Sequence, residues 1–352
     1  METLREKYKM NKFSYKEAKW WHYDDKGRTI CTLCPRYCAL SDGQAGFCYV
    51  RKNIKGTLYT LAYGRPTGFA IDPIEKKPLF HFLPGSDILS FGTAGCNLGC
   101  VFCQNWTMSK ARIDELNALQ ATPEEVIALA KEYNVPSIAY TYNDPTVFGE
   151  YVMDIADLAK QENIKSVMVT AGYIDKEARK VIYKNIDAAN VDLKAFSERF
   201  YVKLTNSHLN DVLKTLKWLK NETNILIEIT TLLIQGENDS ADELKRMTEW
   251  IVENLGDEVP HHFTAFHPDF KLRDKPRTPI QTLKTAADIA KKGGIKYVYL
   301  GNVSDADSQT TFCPQCGAAL IKRNWHSVTQ NDVREDGSCP KCGAIIAGQF
   351  KR

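Results

Sequence analysis

The sequence lacks any apolar run long enough to cross a membrane. Its longest largely apolar stretch, 225–234, contains Glu228, whereas a spanning helix needs about 20 apolar residues. The amino terminus is rich in Lys and Glu and has no apolar centre of the kind found in secretory signals. No basic run dominates either, since the net charge is only +3. These absences argue against membrane and nucleic-acid partners, and we expect a cytoplasmic protein.

Isolated cysteines are also missing. All eleven cysteines fall into three groups, at 31–48, 96–103 and 313–342. Disulfide pairs would be scattered differently, and clustered thiols in a reducing compartment indicate metal ligands. The 352 residues are 43% hydrophobic and 25% charged, which is enough to bury a sizeable core.

The first group has four cysteines, with Pro35, Gly43 and Gly46 available to turn the chain between them. They are Cys31, Cys34, Cys38 and Cys48. Four thiolates suit a tetrahedral zinc and equally a closed four-iron cluster. The sequence predicts a metal site here and leaves the choice between zinc and iron–sulfur open, beside the plainer alternative of buried free thiols.

The second group has only three cysteines, Cys96, Cys100 and Cys103, on a segment that Gly95 and Gly99 allow to bend closely. Three thiols cannot form a self-contained set of disulfides, and they are one ligand short of a structural zinc shell. Three thiolates on a cubane iron–sulfur cluster leave one iron with an open position. The spacing therefore indicates an open-site cluster.

The third group repeats Cys-Pro-x-Cys-Gly at 313–317 and 339–343. In each knuckle the proline and glycine shape a tight turn that aims two thiolates at one ion. The four ligands are Cys313, Cys316, Cys339 and Cys342. Paired knuckles of this kind predict a closed zinc-ribbon-like or rubredoxin-like site, with zinc as the expected metal and no catalysis.

From residue 87 onward, strand-like and helix-like segments alternate about six times. The strand candidates are Ile88–Thr93, Ser137–Tyr142, Ser166–Thr170, Ala189–Leu193, Ile225–Leu233, His262–Phe266 and Tyr297–Leu300. Helices are expected to begin at Thr122, Ser240 and Thr278. This order predicts an α/β fold with a partial (β/α) barrel. We divide the chain into a Cys-rich β extension at 1–86, the barrel core at 87–304 and a four-Cys module at 305–352.

Such a barrel places its active site in the loops after the strands. Polar residues that follow the second to fourth strands are Asn143, Asp144, Thr170, Asp192 and Lys194. A carboxylate and a lysine suit a zwitterionic ligand, although Asp144 followed by proline is also typical of a helix cap. Further candidates for this rim are the fifth-strand carboxylate and the histidines of the sixth strand, namely Glu228, His261, His262 and His267.

The spacing Cys96-x3-Cys100-x2-Cys103, with Phe102 before the last cysteine, resembles the signature of the radical S-adenosylmethionine (radical SAM) superfamily. The likeness extends over nearly the whole chain, through 31–48, 72–79, 95–106, 140–145, 192–196, 297–302 and the final knuckles. It resembles the radical SAM enzymes of the AmmeMemoRadiSam system, which are relatives of the pyruvate formate-lyase activating enzymes.

The resemblance implies that the three cysteines of the second group ligate a 4Fe-4S cluster whose open iron binds SAM. Reductive cleavage of SAM then gives a 5′-deoxyadenosyl radical, which abstracts hydrogen from a substrate that the sequence does not identify. The residues implied near SAM are Phe102, Asn143, Asp144, Thr170, Asp192 and Lys194. A one-electron reductant such as ferredoxin or flavodoxin and the other proteins of the system are the implied partners.

Two positions depart from the subfamily pattern, because Asp144 stands where Glu is usual and Ala171 where Asn is usual. Two alternatives stay open for the function. One is a glycyl-radical enzyme activase, and the other, of a different class, is a metal-stapled scaffold or binding module. The three-ligand group disfavours the scaffold, since this chain also carries two groups of four ligands.

Overall fold

The computed structural model describes residues 15–116 and 118–351. They form two compact units. The first comprises the described parts of Met1–Ile71 and Ile88–Asp187, and the second those of Asp72–Asp87 and Ala188–Arg352. The three-part division at residues 86 and 304 stays a prediction.

The strands are numbered in chain order. They are β1 Lys16–Glu17, β2 Trp21–Tyr23, β3 Thr29–Cys31, β4 Ala39–Leu40, β5 Arg51–Ile54, β6 Thr57–Thr60, β7 Thr67–Pro73, β8 Asp87–Gly92, β9 Ser137–Tyr140, β10 Lys165–Thr170, β11 Ala188–Asp192, β12 Leu226–Leu233, β13 His261–Ala265, β14 Val298–Gly301, β15 Thr311–Phe312, β16 Ala319–Asn324 and β17 Ser327–Asn331. The α-helices are Trp106–Ser109, Pro123–Glu132, Gly149–Gln161, Lys176–Ile182, Glu198–Phe200, Leu209–Glu222, Ala241–Leu255 and Ile280–Lys292. Within the described part of the chain, none of them combines the length and the apolarity needed to cross a bilayer.

The first unit carries the parallel strands β8, β9 and β10, which pair in that order. Helix Pro123–Glu132 connects β8 to β9 and begins at a capping box, as predicted. The Thr122 hydroxyl accepts a hydrogen bond from the Glu125 N–H at 3.3 Å, and the Glu125 carboxylate accepts one from the Thr122 N–H at 2.7 Å. Two small antiparallel sheets, β1-β6-β5 and β2-β3-β4, lie in the same unit. Cys31 ends β3, and the other amino-terminal cysteines lie in the loops before β4 and β5.

The second unit carries the parallel strands β11 to β14, which also pair in chain order. Ser240 caps helix Ala241–Leu255, as predicted. The prediction that a helix begins at Thr278 is wrong by one residue, because Pro279 is the N-cap of the last helix. The Thr278 hydroxyl instead donates to the carbonyl of Leu233, and so ties this turn to the end of β12.

The four-Cys module shares a buried core with the parallel strands of the second unit. Phe80 and Tyr299 pack in one cluster with Leu320 and the metal-site residue Cys339. Arg323 of β16 is 2% exposed and donates to the Phe80 carbonyl at 2.7 Å. The module is therefore part of the packing of its unit.

Candidate metal centres and active site

The cluster loop, residues 93–105, follows β8 and packs closely against neighbouring backbone at Gly95. Gly95 adopts a φ of +79°, and a Cβ there would lie 2.0 Å from the carbonyl oxygen of Cys48. Only glycine fits this position, because a side chain would collide with backbone. The Gly95 N–H donates to the Met108 carbonyl at 3.1 Å, which closes the loop onto the short helix that follows it.

Hydrogen-bonding groups lie next to the thiols of Cys96 and Cys103. The Leu98 N–H donates to the Cys96 sulfur at 3.4 Å, and the Ser109 hydroxyl lies 3.1 Å from the Cys103 sulfur. Cys100 is buried. Burial and the nearby Asp144 carboxylate raise the pKa of Cys96 to about 11, so a metal must displace its proton on binding.

Asn143 clamps the backbone of the cluster loop. Its side-chain oxygen accepts a hydrogen bond from the Thr93 N–H at 3.0 Å. Its side-chain nitrogen donates to the Gly95 carbonyl at 2.6 Å and to the Thr93 hydroxyl at 3.1 Å. The side chain is buried, and its amide therefore fixes the residues directly before Cys96.

Asp144 is buried and accepts three hydrogen bonds. One oxygen accepts from the Thr146 N–H at 3.0 Å and caps the short helix there, so the helix-cap alternative is confirmed. The other accepts from the Thr170 hydroxyl at 3.0 Å and from the Ala171 N–H at 2.8 Å. Burial raises the pKa of Asp144 despite these bonds. Ala171 thus contributes through its backbone at a position where its side chain has no polar group.

The remaining implied SAM neighbours lie in different elements. Phe102 is buried within the cluster loop of the first unit. In the second unit, Asp192 is the last residue of β11, and its carboxylate lies 2.7 Å from the ammonium of Lys194. The two charges are thereby paired with each other, and the Lys194 side chain is only 15% exposed.

The amino-terminal cysteines converge on one place. The Cys31 N–H donates to the Cys38 carbonyl at 2.9 Å. Burial and the thiols around it raise the pKa of Cys34, and burial with the neighbouring Cys31 raises that of Cys48 to about 12. Cys38 is partly exposed, whereas the other three are buried. The four thiols therefore lie near one another, and the group has the number of ligands that a closed metal site requires.

The carboxyl-terminal cysteines form a metal-binding group, as the paired knuckles predicted. All four sulfurs lie within 4.8 Å of one another. The Cys313–Cys342 sulfur distance is 3.6 Å and the Cys316–Cys339 distance is 3.7 Å. A tetrahedral ion bound at about 2.3 Å to each sulfur requires about 3.8 Å between sulfurs. The spacing therefore fits one ion held by all four thiolates.

Glu228 has the partners that a buried carboxylate needs, but they are structural. It accepts hydrogen bonds from the N–H groups of Phe80 and His81 at 3.0 and 2.8 Å, and its other contact is His262 Nε2 at 2.7 Å. It is the third residue of β12, toward the amino end of that strand. The prediction that Glu228 belongs to the rim at the carboxyl ends of the strands is therefore wrong.

Sequence reasoning missed the buried ion pair between Arg51 and Glu150. Arg51 and Glu150 form a bidentate contact at 2.9–3.0 Å, and their side chains are 2% and 0% exposed. Glu150 also accepts from the Lys19 N–H at 2.9 Å. An acidic residue next to apolar ones was the available signal, since Glu150 lies in the first turn of helix Gly149–Gln161, directly before Tyr151 and Val152.

Comparisons with known proteins bear on the cluster loop. Residues 91–251 match the family model described as "Radical SAM superfamily". An uncharacterised protein of Methanocaldococcus jannaschii is 44% identical over 333 residues, which are 94% of this chain and 98% of that protein. A protein of the same organism, provisionally named as a glycyl-radical enzyme activating enzyme, is 24% identical over 62% of this chain and 80% of its own length. The pyruvate formate-lyase-activating enzyme of Clostridium pasteurianum is 21% identical over 51% of this chain and 80% of its own.

The match agrees with the architecture described above. Each unit carries parallel strands paired in chain order with helices between them. The predicted α/β fold, with a partial barrel of parallel strands and a zinc-ribbon-like four-Cys module, is confirmed.

Proposed function

This chain belongs to the radical SAM superfamily, and from that premise we propose that its cluster loop holds the 4Fe-4S cluster with which it cleaves SAM. The ligands are Cys96, Cys100 and Cys103. The observation that carries the proposal is the loop itself, on which three thiols are held by a glycine that tolerates no Cβ and by the buried amide of Asn143. The chain is a radical SAM enzyme related to the glycyl-radical enzyme activases.

The donor set suits such a cluster. N–H and O–H groups next to cluster thiolates stabilise their negative charge and tune the reduction potential. Leu98 and Ser109 are placed to do this for Cys96 and Cys103. When bound, the cluster supplies the electron that splits SAM into methionine and a 5′-deoxyadenosyl radical, which takes a hydrogen atom from the substrate.

The residues that we assign to SAM act in different ways. Phe102 and Thr170 contribute to the walls of the proposed SAM site. Asn143 positions the cluster loop through hydrogen bonds from its side chain to the loop backbone. Asp144 supports Thr170 and the Ala171 N–H, so its shorter side chain still reaches the end of β10. Asp192 and Lys194 offer opposite charges at the end of β11, which match the ammonium and carboxylate of an amino-acid moiety.

We assign zinc to the carboxyl-terminal cysteines and a second metal site to the amino-terminal ones. We propose that the radical abstracts hydrogen from an unidentified substrate of the AmmeMemoRadiSam system, and motifs that extend along nearly the whole chain support this assignment. The expected partners are the other proteins of that system and a one-electron donor such as ferredoxin or flavodoxin. A cytoplasmic location stays a prediction.

A second candidate function is glycyl-radical enzyme activation. The names of two relatives favour it, since one is provisionally a glycyl-radical enzyme activating enzyme and the other activates pyruvate formate-lyase. In that case the hydrogen atom comes from a backbone glycine of another protein. A metal-stapled scaffold, the third alternative, has no use for a three-ligand loop.

The test is anaerobic reconstitution with iron and sulfide, followed by dithionite and SAM and by quantification of 5′-deoxyadenosine. We expect product from the wild type and none from Cys100→Ala. Absence of product from wild type with a loaded, reducible cluster would rule out both enzymatic candidates. Radical formation on a glycine of a copurifying protein would select the activase.

A further inference from the structure

The amino-terminal thiols are spaced differently from the carboxyl-terminal ones. Among residues 15–116 and 118–351, only the carboxyl-terminal group brings at least three metal-ligating atoms within 4.8 Å of one another. The thiols of Cys31, Cys34, Cys38 and Cys48 are therefore spread more widely than around one tetrahedral ion, where sulfurs lie about 3.8 Å apart. A four-iron cluster separates its thiolates further, because each binds a different iron.

This group lies directly against the cluster loop. A Cβ on Gly95 would be 2.0 Å from the Cys48 carbonyl oxygen, so the two backbones are in contact. Gly95 is the residue before Cys96. With 3.8 Å between consecutive Cα atoms, the Cα atoms of Cys48 and Cys96 lie at most about 10 Å apart.

A second contact joins the same two segments. Arg36, which lies between Cys34 and Cys38, donates from Nε to the Asn97 carbonyl at 2.5 Å. Its guanidinium stacks on Phe47, 3.4 Å from the ring centroid. Both amino-terminal turns are thus locked onto the residues that flank Cys96.

The group is also accessible from one side. Cys38 is partly exposed, while Cys31, Cys34 and Cys48 are buried. Tyr37 beside it is 50% exposed. A cluster held here has one edge toward solvent and another toward the cluster loop, which is the arrangement needed by a relay that is filled from outside.

We propose that Cys31, Cys34, Cys38 and Cys48 hold a second iron–sulfur cluster that relays single electrons to the cluster loop, an inference that rests on the function proposed for that loop. A protein donor with an iron–sulfur or flavin centre is oxidised by one electron. The relay site is reduced and then reoxidised by one electron. That electron enters SAM as its sulfur–carbon bond breaks, giving methionine and the 5′-deoxyadenosyl radical.

The first measurement is the metal content and electron paramagnetic resonance of the wild type purified and reconstituted without oxygen. We expect about eight irons per chain, four for each cluster, and two reduced-cluster signals, of which one changes on adding SAM. Zinc in the amino-terminal site with about four irons per chain overturns the proposal. This measurement does not depend on any variant folding.

The second measurement compares Cys34→Ser with Cys316→Ser as the matched control. We expect Cys34→Ser to lose one iron cluster and retain the SAM-sensitive signal. Its 5′-deoxyadenosine formation should persist with dithionite and be lost with reduced flavodoxin. Cys316→Ser should lose zinc and retain both clusters.

The outcomes separate the two proposals. Flavodoxin-driven cleavage by Cys34→Ser at the wild-type rate overturns the relay and leaves the proposed function standing. Two reducible clusters without any cleavage of SAM in the wild type overturn the proposed function instead, and the iron assignment of the amino-terminal group survives.

Discussion

The carboxyl-terminal cysteines and the cluster loop hold their thiols by opposite means. In the first, four sulfurs 3.6–3.7 Å apart across each pair form a complete shell, and Cys339 is part of the buried core. In the second, three thiols lie on a backbone that is fixed by the hydrogen bonds of Asn143 and by the close approach at Gly95. A structural ion adds its binding free energy to the packing around it, whereas a catalytic cluster needs a loop whose geometry is fixed in advance.

The largest expected effect comes from removing the carboxyl-terminal ion. Structural zinc sites bind with about 10–16 kcal/mol, and Cys339 is 0% exposed. We expect Cys339→Ser to lose zinc and to lower the melting temperature of the second unit severely, as measured by calorimetry. Cys100→Ser should instead abolish SAM cleavage. Equal thermal losses in the two variants would erase the distinction between the sites.

A smaller loss of stability is expected from breaking the buried ion pair between Arg51 and Glu150. Glu150→Gln leaves Arg51 buried without its counter-charge, and breaking such a pair costs about 3–5 kcal/mol. Urea unfolding measures this free energy. The matched control is Glu177→Gln, since Glu177 is 59% exposed and its pair with Lys180 should contribute at most about 1 kcal/mol. Similar losses of unfolding free energy in both variants would contradict a special stabilising role for the buried Arg51–Glu150 pair.

The second unit should also show a pH-dependent contribution. Burial alone would raise the pKa of Asp72, but hydrogen bonds from Lys76 and Lys77 lower it to about 2. Because the folded pKa is depressed, this stability is present above about pH 4 and is lost as the pH falls toward 2. Asp72→Asn should cost about 2 kcal/mol at pH 7. A deficit that persists undiminished at pH 2 would point to packing in place of charge.

The smallest effect is expected at the Thr122 helix cap, which lies outside the three cysteine groups in sequence. Thr122→Ala removes the hydroxyl that accepts from the Glu125 N–H, at a cost of about 1 kcal/mol. Denaturant unfolding should register this loss while SAM cleavage stays at the wild-type rate. Thr122→Ser is the control, because it retains the accepting oxygen. A change in cleavage rate would show that the cap is coupled to the cluster loop.

Local patterns predicted the fold well. The apolar run at 166–170 became β10, Lys165–Thr170, and the capping box at Thr122 begins its helix. The knuckles predicted the carboxyl-terminal shell because all its information lies in two short turns. These features depend on neighbours in sequence, and periodicity and spacing report them directly.

Contacts between residues far apart in the sequence could not be predicted from local patterns. Arg51 and Glu150 are 99 residues apart, and Glu228 meets His81 across 147. The backbone N–H of Ala171 contacts Asp144, which no side-chain identity could reveal. A buried charge needs a partner on physical grounds, but only the fold determines which residue supplies it.

The hydrogen bond from Arg323 to the Phe80 carbonyl joins residues 243 positions apart. This separation determines when the second unit can fold during translation. Phe80 leaves the exit tunnel early, yet the core that it joins also needs Leu320 and Cys339. The second unit can therefore close only after nearly the whole chain has been translated, and its high contact order slows that closure. A chain cut before the knuckles exposes Phe80 and leaves Glu75 without the buried guanidinium 3.6 Å away, which makes aggregation its expected fate.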